Sequence, residues 1–274
     1  MAKVHLVPWW WALVGLAALP LVHMVAPLSL GGWLAGVVYL VVSSLLVSLG
    51  MTRQKAGRLG AANAVTATRS ALVGLVTALV VTSLTQPIPV PLLIGLAAPA
   101  LALDALDGWV ARRTRGESAL GARFDMEVDA FLILVLSVYD ARSLGWWVPA
   151  LGLMRYAFVA AGWLLPWMRA QLPFRYWRKV VAAFCGIALT VAAAGFLPAM
   201  ASALIVGAAL ALLVESFGRD VIRLVQTRAT ASRGRPAAPS AVAAAPSAAP
   251  AAPAPGARSR EGAAPGSSSA GSPV

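Results

Sequence analysis

The chain is short of most residues that soluble catalytic and metal-binding chemistry draws on. A single cysteine, Cys185, excludes a disulfide framework and a multi-cysteine zinc site. Two histidines, His5 and His23, both near the start, are too few for a metal cage. Charged residues make up only 12% of the 274, against about 25% in an average soluble domain. Acids are scarcer still, ten against 22 lysines and arginines. What remains is apolar, at 59% of the chain. These shortages exclude an ordinary soluble enzyme and a disordered protein. The net charge of +12 invites a nucleic-acid reading, but the cations lie in short clusters between long apolar runs. That is how polytopic membrane proteins distribute them, and no nucleic-acid partner is expected.

A crossing needs roughly 20 apolar residues. Such runs predict an all-α polytopic membrane protein with helices over 9–27, 31–50, 64–84, 91–112, 121–140, 146–167, 179–197 and 200–218. Pro87, Pro89 and Pro91 break the chain between the third and fourth, and Pro198 separates the last two. A secretory-signal reading of residues 1–27 has only Lys3 as its basic start and too long an apolar run. Arg53, Lys55 and Arg58 share one loop, Arg112, Arg113, Arg115 and Arg123 the next on that side, and Arg169, Arg175, Arg178 and Lys179 the third. Arg219, Arg223 and Arg228 follow the last span, whereas the alternating loops carry Arg142 alone. Eight crossings with both termini cytoplasmic satisfy every loop. From residue 229 the chain turns to Ala, Pro, Ser and Gly without an aromatic, which predicts a disordered cytoplasmic tail over 229–274. Arg233, Arg235, Arg258 and Arg260 there suit contact with anionic headgroups or plain solvation.

Six of the ten acids, Asp104, Asp107, Glu117, Asp125, Glu127 and Asp129, fall within one stretch. Carboxylates at membrane depth are costly and usually functional. Asp104 and Asp107 share a helix face near the end of one span, and Asp125 and Asp129 share one near the start of the next. The short loop makes these spans antiparallel neighbours, so four carboxylates converge while Glu127 points elsewhere and Glu117 stays in the loop. An all-oxygen set favours Mg²⁺ or Mn²⁺ over zinc, and such ions commonly complete their shell with substrate phosphates. Gly108, Ala111 and Gly121 are small residues one turn away, fit for close helix packing or for a flat nucleotide. Arg112 suits a phosphate or a positive-inside anchor.

Written out, residues 104–129 read D-A-L-D-G-W-V-A-R-R-T-R-G-E-S-A-L-G-A-R-F-D-M-E-V-D. This resembles the signature of the CDP-alcohol phosphatidyltransferase family, D-x2-D-G-x2-A-R-x8-G-x3-D-x3-D, at every fixed position. Asn63, Thr66 and Arg69 are similar to an N-x2-T-x2-R often found at the start of that family's first core helix; for Asn63 a helix N-cap is an equal reading.

The resemblance implies a six-helix core over roughly 55–218, within a catalytic domain of 51–218. Two extra transmembrane helices over 1–50 precede it, with no assigned role. It implies transfer of a phosphatidyl group from CDP-diacylglycerol to an acceptor hydroxyl with release of CMP, a step of phospholipid biosynthesis. Asp104, Asp107, Asp125 and Asp129 would hold two Mg²⁺ or Mn²⁺ ions, and Asp129 would also be the general base. Asp104, Gly108, Ala111, Arg112 and Gly121 would shape the CDP pocket. Placement in the cell membrane with the active site on the cytoplasmic side follows, and a homodimer is a family-level expectation.

The acceptor is read from cations. Arg155 lies deep in the sixth span and needs a partner, and Arg175, Arg178 and Lys179 mark the entrance of the seventh. Together with Arg69, these residues suit a phosphorylated acceptor such as glycerol phosphate or inositol phosphate. An unphosphorylated alcohol or phosphatidylglycerol is the alternative. Trp9, Trp10, Trp11, Trp146 and Trp147 read as an interfacial belt, Cys185 as buried packing, and Glu215 as a partner for Arg219. A transporter or ion pathway, or an intramembrane prenyltransferase, also uses such acids, but the spacing and the D-G-x2-A-R element argue against both.

Overall fold

The computed structural model describes the backbone of residues 7–54, 61–114, 119–165, 167 and 176–233. Within these helices the side chains at 7–8, 51–54, 61–64, 105–114, 119–120, 122, 176 and 227–233 lie outside the description. The expected tail from residue 234 onward also lies outside it, as do Glu117 and Arg175.

Local breakers divide the chain into eight helices among the described residues: α1 Val7–Val25, α2 Leu30–Gln54, α3 Ala61–Ser83, α4 Val90–Thr114, α5 Ala119–Leu144, α6 Ala150–Leu164, α7 Tyr176–Ala193 and α8 Ala199–Arg233. Ser29 opens α2 as an N-cap, its hydroxyl accepting the Gly32 N–H at 3.0 Å. The Pro87 and Pro89 turn ends α3, and the Pro89 carbonyl accepts the Leu92 and Leu93 N–H groups as α4 begins.

Several helix boundaries depart from expectation. The sixth helix starts at 150 rather than 146, because Gly145 turns the chain at φ 108°, a left-handed conformation that glycine adopts freely. Trp147 then closes the turn by donating its indole N–H to the Leu144 carbonyl at 2.8 Å. The eighth helix runs on to Arg233, past 218 and into the first residues of the expected tail. Asn63 lies inside the first turn of α3, not ahead of it, so the N-cap reading falls.

α3 is the axis of the bundle and packs against α1, α2, α4 and α5. Its 65–83 window is 72% buried, against 28% for the apolar windows of α2 and α8. Two of the hydroxyls α3 buries are satisfied within the helix: Thr77 donates to the Val73 carbonyl at 2.7 Å and Ser83 to the Val80 carbonyl at 2.6 Å. Where α2 crosses α3, a Cβ on Gly32 would lie 2.6 Å from the Ala78 carbonyl oxygen, so the glycine sets how closely these backbones approach. Gly152 does the same for α6, whose added Cβ would collide with the backbone of Leu134 on α5. α7 and α8 meet at buried Cys185, 3.6 Å from the Ala209 carbonyl, the packing role expected of it.

The outward faces are apolar. Leu13, Leu21 and Met24 on α1, Leu34, Val38 and Leu46 on α2, and Met200, Leu204 and Val214 on α8 are all exposed. In water such patches promote aggregation; against acyl chains they are the solvated surface. Three helical stretches, Leu30–Gly50, Val65–Ser83 and Ala199–Gln226, are long and apolar enough to cross a bilayer, and Trp9–Val25, Val90–Asp104 and Ala150–Leu164 are shorter apolar helices. The apolar part of α5 is shortened by the acids at its start.

Candidate active site

α3 packs against both α4 and α5, and against it Asp104 near the end of α4 comes together with Asp125 and Asp129 near the start of α5. Arg69 on α3 reaches this junction with its side chain fully buried. Its Nη1 donates to Asp104 Oδ1 on α4 at 2.7 Å. Its Nη2 donates to the Asp125 carboxylate and, at 3.1 Å, to the Asp125 backbone carbonyl on α5. Asp129, one turn further along α5, lies 3.1 Å from the same nitrogen. One guanidinium therefore gathers carboxylates from two helices. Neighbouring Ser70 donates its hydroxyl to Tyr39 of α2 at 3.4 Å, and Tyr39 stacks on Phe131 of α5 with centroids 4.7 Å apart. The second helix thus braces the two that carry Arg69 and Asp129.

Asp104, Asp125 and Asp129 each offer an oxygen, and these atoms lie within 4.8 Å of one another. Three carboxylates against one guanidinium leave an excess of negative charge in a partly buried place. An all-oxygen set with surplus negative charge fits Mg²⁺ or Mn²⁺, and among the described residues no histidine or cysteine joins the cluster to favour zinc. Asp107 follows Asp104 by three residues in α4, which puts it on the same helix face. The side chains of Asp107, Ala111 and Arg112 lie outside the described residues, as does the surrounding of Gly108. Gly121 is in the first turn of α5, one turn before Asp125.

The carboxylates open into a cavity of about 360 Å³ between α4, α5, α6, α7 and α8. Asp104, Asp125 and Asp129 form part of its lining together with Arg155, Arg178, Lys179 and Asp220. Met126, Ile133, Leu151, Leu213 and Phe217 make an apolar wall. Of the four expected acceptor residues, Arg155, Arg178 and Lys179 thus line the space the acids face. Arg69 instead holds the acids from α3, and it is not among the cavity-lining residues.

Arg155 has the partner its depth required: it is ion-paired with Glu127, which points away from the other three acids, as expected. Arg178 pairs with Asp220 at 3.5 Å. The expected Glu215–Arg219 pair is present too, and the Trp177 indole N–H donates to Glu215 at 3.3 Å. Sequence reasoning missed Asp220, because the last span was ended at 218. The signal available was an acid set among Arg219 and Arg223 on a helical repeat.

A family model described as CDP-alcohol phosphatidyltransferase matches residues 59–215, more than half of the chain. No curated protein and no solved structure matches it.

Proposed function

The chain belongs to the CDP-alcohol phosphatidyltransferase family and is an enzyme of that type, and from that premise we propose that it transfers a phosphatidyl group from CDP-diacylglycerol to a phosphorylated alcohol, releasing CMP. Glycerol phosphate and inositol phosphate are the acceptors this reading favours. One observation carries it: Arg155, Arg178 and Lys179 share a single cavity with Asp104, Asp125 and Asp129. Cations suit an anionic acceptor, while the acid cluster suits divalent ions beneath a diphosphate. An unphosphorylated alcohol would leave the cations of that wall without an anion to meet.

In this reading Asp104, Asp107, Asp125 and Asp129 hold Mg²⁺ or Mn²⁺. Such ions, when bound, offset the charge that develops on the diphosphate oxygens. Asp129 takes the proton of the acceptor hydroxyl at a carboxylate oxygen as that oxygen attacks the phosphatidyl phosphorus. The bond to the bridging oxygen breaks, and its electron pair leaves with CMP. Arg69 keeps the three carboxylates at one point so that attack and departure are served by fixed groups. Asp104, Gly108, Ala111, Arg112 and Gly121 form the CDP side.

The architecture proposed is a six-helix core, α3 to α8, preceded by α1 and α2. All eight helices cross the cell membrane, both termini are cytoplasmic, and the active site lies at the cytoplasmic boundary. There the nucleotide enters from water while the acyl chains stay in lipid. A homodimer is part of the same reading. To test the chemistry, the full chain in detergent is given CDP-diacylglycerol, Mg²⁺ or Mn²⁺ and a panel of phosphorylated and unphosphorylated acceptors. Metal-dependent CMP release with a phosphorylated lipid product is expected. Product from unphosphorylated acceptors alone would refute the acceptor, and a lack of CMP release with every acceptor would refute the reaction.

A further inference from the structure

Each arginine of the cavity wall is held from a helix other than its own. Glu127 on α5 grips Arg155 on α6, and Asp220 on α8 grips Arg178 on α7. The two grips differ in burial: the side chain of Glu127 is 51% exposed and that of Asp220 only 3%. An exposed acid exchanges its partner for water at little cost, so it fixes nothing firmly. A buried acid cannot, because separation leaves its charge without compensation. Asp220 therefore fastens Arg178, whereas Glu127 only biases Arg155.

Asp220 itself borders the cavity. Its negative charge opposes an incoming phosphate, so direct contact is no reason for an acid there. Holding the guanidinium in place is one: a long side chain already confined loses less freedom when it binds a ligand. Asp220 also lies five residues beyond the segment matched to the family, which ends at 215. It is a feature of this chain's long last helix.

We propose that Asp220 is a positioning residue that, through Arg178, sets the enzyme's affinity for a phosphorylated acceptor; this rests on the acceptor reading above. Its test is steady-state kinetics on the full chain in detergent, with glycerol 3-phosphate and inositol phosphate as acceptors. Asp220→Asn is expected to raise the acceptor KM about tenfold, the cost of confining one long side chain. kcat and the KM for CDP-diacylglycerol stay within about twofold by the same argument, since neither depends on the Arg178 arm. Asp220→Glu, which keeps the charge and shifts the guanidinium slightly, is expected to raise the acceptor KM about threefold, a partial rescue. Arg178→Ala combined with Asp220→Asn costs no more than Arg178→Ala alone, because the acid acts only through the arginine.

An unchanged or lowered acceptor KM in Asp220→Asn overturns the proposal. So does an equal rise in both substrates' KM, which marks a merely structural role, or an additive double variant. Where Asp220→Asn does not fold, Asp220→Glu decides: a rise confined to the acceptor supports the proposal, and no rise ends it. A wild-type enzyme that leaves every phosphorylated acceptor unreacted refutes the acceptor reading and this proposal together. Turnover with an indifferent Asp220 refutes this proposal alone.

Discussion

The two ends of α5 bury the same residue type in opposite circumstances. At one end Asp125 and Asp129 share Arg69 with Asp104 and face a cavity. At the other, Asp140 is 1% exposed, and neither of its carboxylate oxygens has a hydrogen-bond partner among the described residues. Burial is thus no measure of use. A carboxylate becomes a tool where a counter-charge and an open space accompany it, and remains a burden where neither does.

Substitutions can break or sharpen that contrast. The largest effect is expected at Asp129: Asp129→Asn should lower CMP release about 10³-fold, the scale of losing a general base, with folding intact. Activity within tenfold of wild type would remove Asp129 from that role. Next comes Arg69→Ala, which strands three carboxylates; the loss is about 3–5 kcal/mol of stability, read as a lower unfolding temperature in detergent. Added Mg²⁺ should restore part of it in this variant, and indifference to Mg²⁺ would speak against a shared cation site.

At the far end the sign reverses. Asp140→Val removes a buried carboxyl group that has no hydrogen-bond partner among the described residues, and should raise the unfolding temperature by the equivalent of about 1–3 kcal/mol while leaving turnover alone. A fall would mean that the carboxylate is held by a partner after all. The smallest effect is expected at half-exposed Glu127, where Glu127→Gln should cost no more than about 1 kcal/mol, seen as a severalfold rise at most in acceptor KM.

What the sequence disclosed follows the reach of its signals. Relations within one helix or across one short loop were legible: the 104–129 spacing, the Asp104 and Asp125 convergence, the divergence of Glu127, and the Pro87 and Pro89 break. Relations between helices distant in the chain were not. Nothing in a linear pattern says that Arg69, 35 positions before Asp104 and 56 before Asp125, holds both acids. It was therefore grouped with the acceptor cations. The start of α6 was misread because Trp146 and Trp147 extend the apolar run, while the left-handed Gly145 ends the helix before them. Asp220 was passed over because hydropathy fades after 218, although the α8 backbone continues to Arg233.

Arg69 has one more consequence. Acid clusters that rely on outside metal to cancel their repulsion tie assembly to supply: in a cell starved of magnesium they splay before they are ever loaded. This protein carries a resident counter-charge on its most deeply enclosed helix, so the three carboxylates are held together by the chain itself.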